Sequence, residues 1–281
     1  MDHDTSLPDP TRVLVGGAEI ATYRLGPEHA TSAGDVVLCH GTPWSARSWM
    51  PIARMLAERH RVFLWDMPGY GSSISDDAPP ADLVHQRERL AALIALWGLD
   101  RPHVLAHDIG GAVALGAHLL EGVEFASLYL VDIVTLAPWG SPFFRLVAQH
   151  EEVFAALPSN LHAALVREYI IGAGGEGLDA RWIDALVEPW RSRAGQSAFY
   201  RQIAQLSQKH TEPIVRELGR VRCRTRIGWG ERDPWIPVSQ ATELAALLPC
   251  PVDVITFPDS GHLAPLEATA ALGEDALDWL R

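Results

Sequence analysis

At 281 residues, 48% of them hydrophobic, the chain is long enough for one large α/β domain or for a core carrying a smaller insertion. Its formal charge of −12 and pI near 5.4 argue against nucleic acid or an anionic membrane as partner, because the phosphate field would repel it. No apolar run approaches the ~20 residues needed to span a bilayer, and the acidic start Met1-Asp2-His3-Asp4-Thr5 lacks the apolar core of a secretory signal.

Three cysteines (Cys39, Cys223, Cys250) without a CxxC pair argue against a disulfide framework or a zinc ribbon. The expectation is a soluble cytoplasmic protein with no cofactor, no metal and no nucleic-acid or membrane partner. The oligomeric state stays open.

In chain order, the first part alternates strand and helix patterns. Val13-Leu14-Val15 and Ile20-Ala21-Thr22-Tyr23-Arg24 predict an opening hairpin about Gly16-Gly17. Asp35-Val36-Val37-Leu38-Cys39 is a short apolar run ending at His40-Gly41, as a buried parallel strand would. Residues 45–59 have helical spacing, and Arg61-Val62-Phe63-Leu64-Trp65-Asp66 predicts a strand closed by Pro68-Gly69-Tyr70-Gly71. Residues 83–97 predict an amphipathic helix stopped by Gly98. Pro102-His103-Val104-Leu105-Ala106 predicts a strand, residues 110–120 a small-residue helix, and residues 125–133 a further strand.

The rhythm changes at Pro138-Trp139-Gly140-Ser141-Pro142. From there to about Pro213 the patterns are helical, broken by Gly172-Ala173-Gly174-Gly175-Glu176-Gly177. Strands resume over residues 224–229 and 252–257, each followed by a helix. The expected fold class is α/β, a mostly parallel sheet with helices on both faces. Residues 1–137 and 214–281 would form the core, and 138–213 a helical cap inserted after the sixth strand.

The stretch His107-Asp108-Ile109-Gly110-Gly111 lies between a predicted strand and a helix, the context of a nucleophile elbow. The usual serine is replaced by Asp108, and no Gly-x-Ser-x-Gly occurs anywhere in the chain. A carboxylate attacking an acyl group would give only a reactive anhydride. It suits displacement at a saturated carbon, giving an alkyl ester that water must then cleave. Other marked residues also follow strands: His40-Gly41-Thr42-Pro43, Asp233 in Gly230-Glu231-Arg232-Asp233-Pro234, and His262 in Asp259-Ser260-Gly261-His262. Asp233 alone reads as a turn residue and His262 alone as a loop histidine. Together they give nucleophile, acid and histidine in the chain order of a known hydrolase fold.

On these motifs the chain resembles the α/β-hydrolase superfamily over nearly its whole length. Its His-Gly-x-Pro, Asp-x-Pro-Gly-Tyr-Gly-x-Ser (residues 66–73) and His-Asp-x-Gly-Gly motifs resemble the aspartate-nucleophile branch of epoxide hydrolases and dehalogenases. The resemblance implies that Asp108 attacks carbon and that His262 activates water against the ester. An acid holds His262, and the Thr42 and Ile109 N–H groups form the oxyanion hole. The favoured acid is Asp233; Asp132 matches an alternative position in the branch.

The implied partners are a small hydrophobic electrophile and water. Ile109 and Thr42 stand where similar haloalkane dehalogenases carry tryptophan and asparagine donors. Ile109 and Ala112 stand where haloacetate dehalogenases carry arginines. Epoxide hydrolases hold the epoxide oxygen with cap side chains, usually two tyrosines, and the resemblance assigns one place to Tyr200. Tyr169 and His150 compete for the second. The first expectation is hydrolysis of an epoxide to a vicinal diol. Dehalogenation, with Trp139 or Tyr200 holding halide, is the alternative, and a non-catalytic binder on the same fold is the third. Trp49, Trp97 and Trp279 read as core, and His40 and His107 as supports for their loops.

Overall fold

The computed structural model describes residues 4–29, 33–175 and 178–281. Glu176 and Gly177 of the glycine-rich break, and residues 1–3, lie outside them. The strands are β1 (Thr11–Val15), β2 (Ala18–Leu25), β3 (Asp35–Cys39), β4 (Arg61–Trp65), β5 (His103–His107), β6 (Ser127–Val131), β7 (Arg224–Gly230) and β8 (Asp253–Phe257). They form one sheet in the order β1-β2-β4-β3-β5-β6-β7-β8. β1 and β2 make an antiparallel hairpin and β2 pairs antiparallel with β4; every later pairing is parallel.

The central strands are apolar on both faces, and their side chains divide with a period of two. Val37, Cys39, Val104, Ala106, Leu128 and Leu130 pack on one face of the sheet. That face meets α2 (Leu83–Leu96) and α3 (Ile109–Leu119) through Leu90, Leu93, Val113 and Leu115. Val36, Leu38, Leu105, Tyr129 and Val131 face the other way, onto α1 (Met50–Leu56) and the C-terminal helix Thr269–Trp279. Shifting any strand by one residue would exchange these two sets.

Between β6 and β7 the described residues are helical. This insertion comprises α4 (Pro142–Gln149), α5 (Glu151–Ala155), α6 (Ser159–Ile171), α7 (Ala180–Val187) and α8 (Arg193–Gln205), followed by α9 (Glu212–Glu217). The starts of α4, α7 and α8 are capped by side chains that accept orphan N–H groups: Ser141 from Phe144, Asp179 from Arg181, and Ser192 from Gly195. The chain returns through β7, α10 (Ser239–Leu247), β8, α11 (Ala264–Glu267) and α12 (Thr269–Trp279). Among the described residues no helix is long and apolar enough to cross a membrane.

Candidate active site

The site is built beyond the carboxyl ends of β3, β5, β6, β7 and β8, with the insertion above it. Asp108 turns β5 into α3 with φ 53° and ψ −127°, a conformation rarely open to a residue with a side chain. Two glycines permit the turn by close approach. A Cβ at Gly110 would lie 2.5 Å from the His40 carbonyl oxygen, and one at Gly41 would lie 2.4 Å from Asp108 Cβ. The His40-Gly41-Thr42 loop therefore rests directly against the carboxylate.

Asp108 Oδ1 accepts the Thr42 backbone N–H at 2.8 Å, and Oδ2 lies 3.0 Å from His262 Nε2. Ile109 opens α3, so its N–H belongs to a first turn without intrahelical partners, whose partial positive charge favours an anion. His262 Nδ1 lies 2.8 Å from Asp233 Oδ2. The other Asp233 oxygen accepts the backbone N–H groups of Trp235 and Ile236 at 2.8 and 2.9 Å, so the carboxylate cannot swing away.

Burial alone would lower the His262 pKa, but Asp233 and Asp108 outweigh it and raise it well above the usual value. The two neighbouring acids thus favour the protonated form of the ring. The His262 ring also packs against Trp235 and His107, each centroid 5.0 Å away with the planes tilted.

Asp132, the alternative acid, makes no hydrogen bond to His262. Its Oδ1 accepts the Gly230 N–H at 2.7 Å, and its buried Oδ2 has no partner. Burial and then the Asp233 charge push its pKa well up, which favours its protonated form.

The insertion residues differ from the sequence expectation. Tyr200 is fully buried and donates its hydroxyl to His162 Nδ1 at 2.9 Å, while His162 Nε2–H donates to the Trp190 carbonyl. That carbonyl can only accept, which leaves Nδ1 as the acceptor for Tyr200. Tyr200 does not line the cavity over Asp108, so its assignment as an oxygen-holding group is corrected. His150 is exposed at the end of α4 and is likewise absent from the cavity wall. Trp139 lines the cavity, but its indole N–H is spent on Thr211 Oγ1 at 3.1 Å.

Tyr169 is the tyrosine in that wall. The cavity measures about 510 Å³ and is lined by Thr42, Asp108, Ile109, Phe144, Tyr169 and Trp235 among others. Burial, then the Asp108 charge and Tyr70, push the Tyr169 phenol well above its usual range, so it stays protonated. Its hydroxyl makes no hydrogen bond among the described residues. Among the described residues the cavity wall holds no lysine or arginine, and Glu243 is one of its lining residues.

The remaining motif residues are structural. Asp66 accepts from Ala46 N–H, Ser72 N–H and the Tyr23 hydroxyl, which organises the loop after β4. His40 Nε2 accepts the Met67 N–H. Among the described residues no group of His, Cys, Asp and Glu is arranged to hold a metal ion.

Comparison with known proteins places this fold in one class. Residues 36–274 match the model of the alpha/beta hydrolase family, and the chain belongs to that family. It is 42% identical to an alpha/beta hydrolase fold protein from Burkholderia ambifaria, with a TM-score of 0.90 over 97% of this chain and 98% of that one. A 2-hydroxy-6-oxo-6-phenylhexa-2,4-dienoate hydrolase of Burkholderia cepacia is 26% identical over 95% of each chain. A fluoroacetate dehalogenase of a Burkholderia species is 26% identical over 57% of this chain and 58% of its own.

Proposed function

We propose that this hydrolase opens an epoxide through an ester on Asp108 and releases a vicinal diol. The observation that carries the proposal is the Asp108 carboxylate itself, at the elbow, with one oxygen on the Thr42 N–H and the other on His262. Asp108 Oδ2 attacks an epoxide carbon, the carbon–oxygen bond breaks, and its electron pair goes to the departing oxygen. The Tyr169 hydroxyl protonates that oxygen. The Asp108 charge raises the phenol pKa, so transfer of that charge onto the substrate makes the phenol more acidic when its proton is needed.

The second half reuses the same groups. Esterification neutralises one of the two carboxylates that keep His262 protonated, so the imidazolium yields a proton that restores Tyr169. Neutral His262 then takes a proton from water, and the hydroxide adds to the ester carbonyl carbon. The resulting oxyanion is held by the N–H groups of Thr42 and Ile109. Collapse expels the diol oxygen, which takes the proton from His262, and the new Asp108 carboxyl proton returns to His262.

Charge and donors favour an epoxide over the competing substrates. A haloacid would find Asp108 and Glu243 but no cation in the cavity wall. The two groups expected to hold a halide, Trp139 and Tyr200, have their donors committed to Thr211 and His162. The test is intact-mass analysis of His262→Ala after exposure to styrene oxide and, separately, to 1-bromobutane. The expected result is one epoxide mass on the Asp108 peptide and none from the bromide. A butyl ester with bromide release would make the protein a dehalogenase, and no adduct from either would remove the proposal.

A further inference from the structure

Gln202 is a polar residue in an almost wholly buried stretch of α8, and it is itself fully buried. Its Oε1 accepts two hydroxyls from the core: Thr42 Oγ1 at 2.8 Å and Tyr70 at 2.7 Å. Its Nε2 has no partner. A buried amide donor left unpaired is unfavourable, and a methionine or leucine would fill the space without that penalty. The carbonyl is therefore the group the position retains. Its partner, Thr42, donates its backbone N–H to Asp108 Oδ1. The next residue is held from the same side: the Trp190 indole N–H donates to the Pro43 carbonyl at 3.1 Å.

We infer that Gln202 is a positioning residue that aims the Thr42 N–H at Asp108, so that the oxyanion donor is set by the seating of the helical insertion. A threonine backbone at the tip of a loop has several orientations. With its hydroxyl tied to α8 and the following carbonyl tied to Trp190, one remains. Tyr70 shares the Gln202 oxygen and packs edge-on against Trp190 at 6.0 Å, which closes the cluster. The catalytic consequence rests on the proposed aspartyl ester; the aiming of the amide does not.

The experiment therefore has two arms, on Gln202→Met, Thr42→Val and the double variant. In the free protein, exchange of the Thr42 amide proton is followed by NMR with threonine labelled in nitrogen-15. Gln202→Met is expected to speed it about ten-fold or more. In single turnovers with styrene oxide, Gln202→Met is expected to slow breakdown of the ester about ten-fold or more, with formation affected less. Thr42→Val should reproduce that loss, and the double variant should add little to either.

Unchanged amide exchange in Gln202→Met, even with lowered thermal stability, would reduce Gln202 to packing and overturn the inference. Additive losses in the double variant would also overturn it, since Gln202 would not act through the Thr42 hydroxyl. If no variant forms an ester, the proposed function falls while the exchange arm still decides the role of Gln202.

Discussion

His107 Nε2 lies 2.7 Å from the carbonyl oxygen of His262, and the two imidazole rings stand 5.0 Å apart. The carbonyl can only accept, so His107 carries its proton on Nε2, and its buried Nδ1 has no partner. Burial first, and the neighbouring His262 charge second, lower the His107 pKa to about 4. It is therefore neutral beside an imidazolium, and a second charge there would oppose the first. The residue before Asp108 thus holds the backbone of His262.

This arrangement predicts an acid-labile fold. A histidine whose folded pKa is depressed contributes stability above its unfolded value, near 6.5, and loses it as pH falls toward the folded value. For His107 the window runs from about 6.5 down to about 4, with a slope of at most about 1.4 kcal/mol per pH unit. His107→Gln keeps an N–H for the His262 carbonyl and removes the titration. Urea denaturation at pH 7, 6 and 5 should show a shallower decline for His107→Gln than for the parent protein. Equal slopes would remove His107 as a cause.

The two candidate acids should separate cleanly. Asp233 touches His262 and has its other oxygen held by two backbone N–H groups. Asp233→Asn should lower turnover of the ester by up to about four orders of magnitude, as loss of a histidine-orienting carboxylate does elsewhere. Asp132 has one oxygen on Gly230 N–H and a pKa pushed up by burial, and an amide can copy that contact. Asp132→Asn should keep turnover within about three-fold. Single-turnover rates decide it, and a greater loss in Asp132→Asn than in Asp233→Asn would reverse the assignment.

The tyrosines give the next contrast. Tyr169→Phe should slow formation of the ester from styrene oxide by about 10²-fold, the lower end for loss of a general acid. Tyr200→Phe should leave ester formation nearly intact and lower stability by about 1 kcal/mol, through the lost hydrogen bond to His162. Stopped-flow rates and thermal unfolding of both variants test this pair.

The core and the clustering of Asp108, Asp233 and His262 were legible because each strand is a short apolar run whose end carries a marked residue. Asp35–Cys39 and Arg61–Trp65 form at the predicted positions, and His107-Asp108 sits where strand pattern gives way to small helical residues. Side-chain direction in the insertion was not legible. Helix α8 buries Gly195, Gln196, Ala198, Phe199, Tyr200, Gln202 and Ile203, so no single apolar stripe says which face meets the cavity. Tyr200 was assigned by its place in the chain, whereas its direction is set by His162 on α6.

Two residues missed in the sequence did carry a signal. His162 shares a four-residue spacing with the buried Val166 and Ile170, and Gln202 falls three residues after the buried Phe199. A polar side chain on an apolar stripe is a request for a buried partner. The identity of that partner needs the tertiary structure.

The charge on His262 gives the prediction that bears most directly on mechanism. In the free enzyme its pKa is raised well above the usual value, against the effect of burial, by Asp233 and Asp108. The charged or titratable groups facing it also include neutral His107 and protonated Asp132. A raised folded pKa means that His262 contributes stability below about 6.5, the unfolded value, and that this contribution is lost as pH rises through the folded value. Once Asp108 is an ester, one carboxylate is gone, and the pKa must fall.

Free enzyme and ester should therefore titrate at different pH, the ester lower. Nitrogen-15 NMR of the His262 ring in the free protein reports the first value. The pH dependence of ester decay in single turnovers reports the second, because only neutral His262 can accept a proton from water. Asp108→Asn should move the NMR value downward without any substrate. If the NMR titration of Asp108→Asn matched that of the parent protein, Asp108 would not be what raises the His262 pKa.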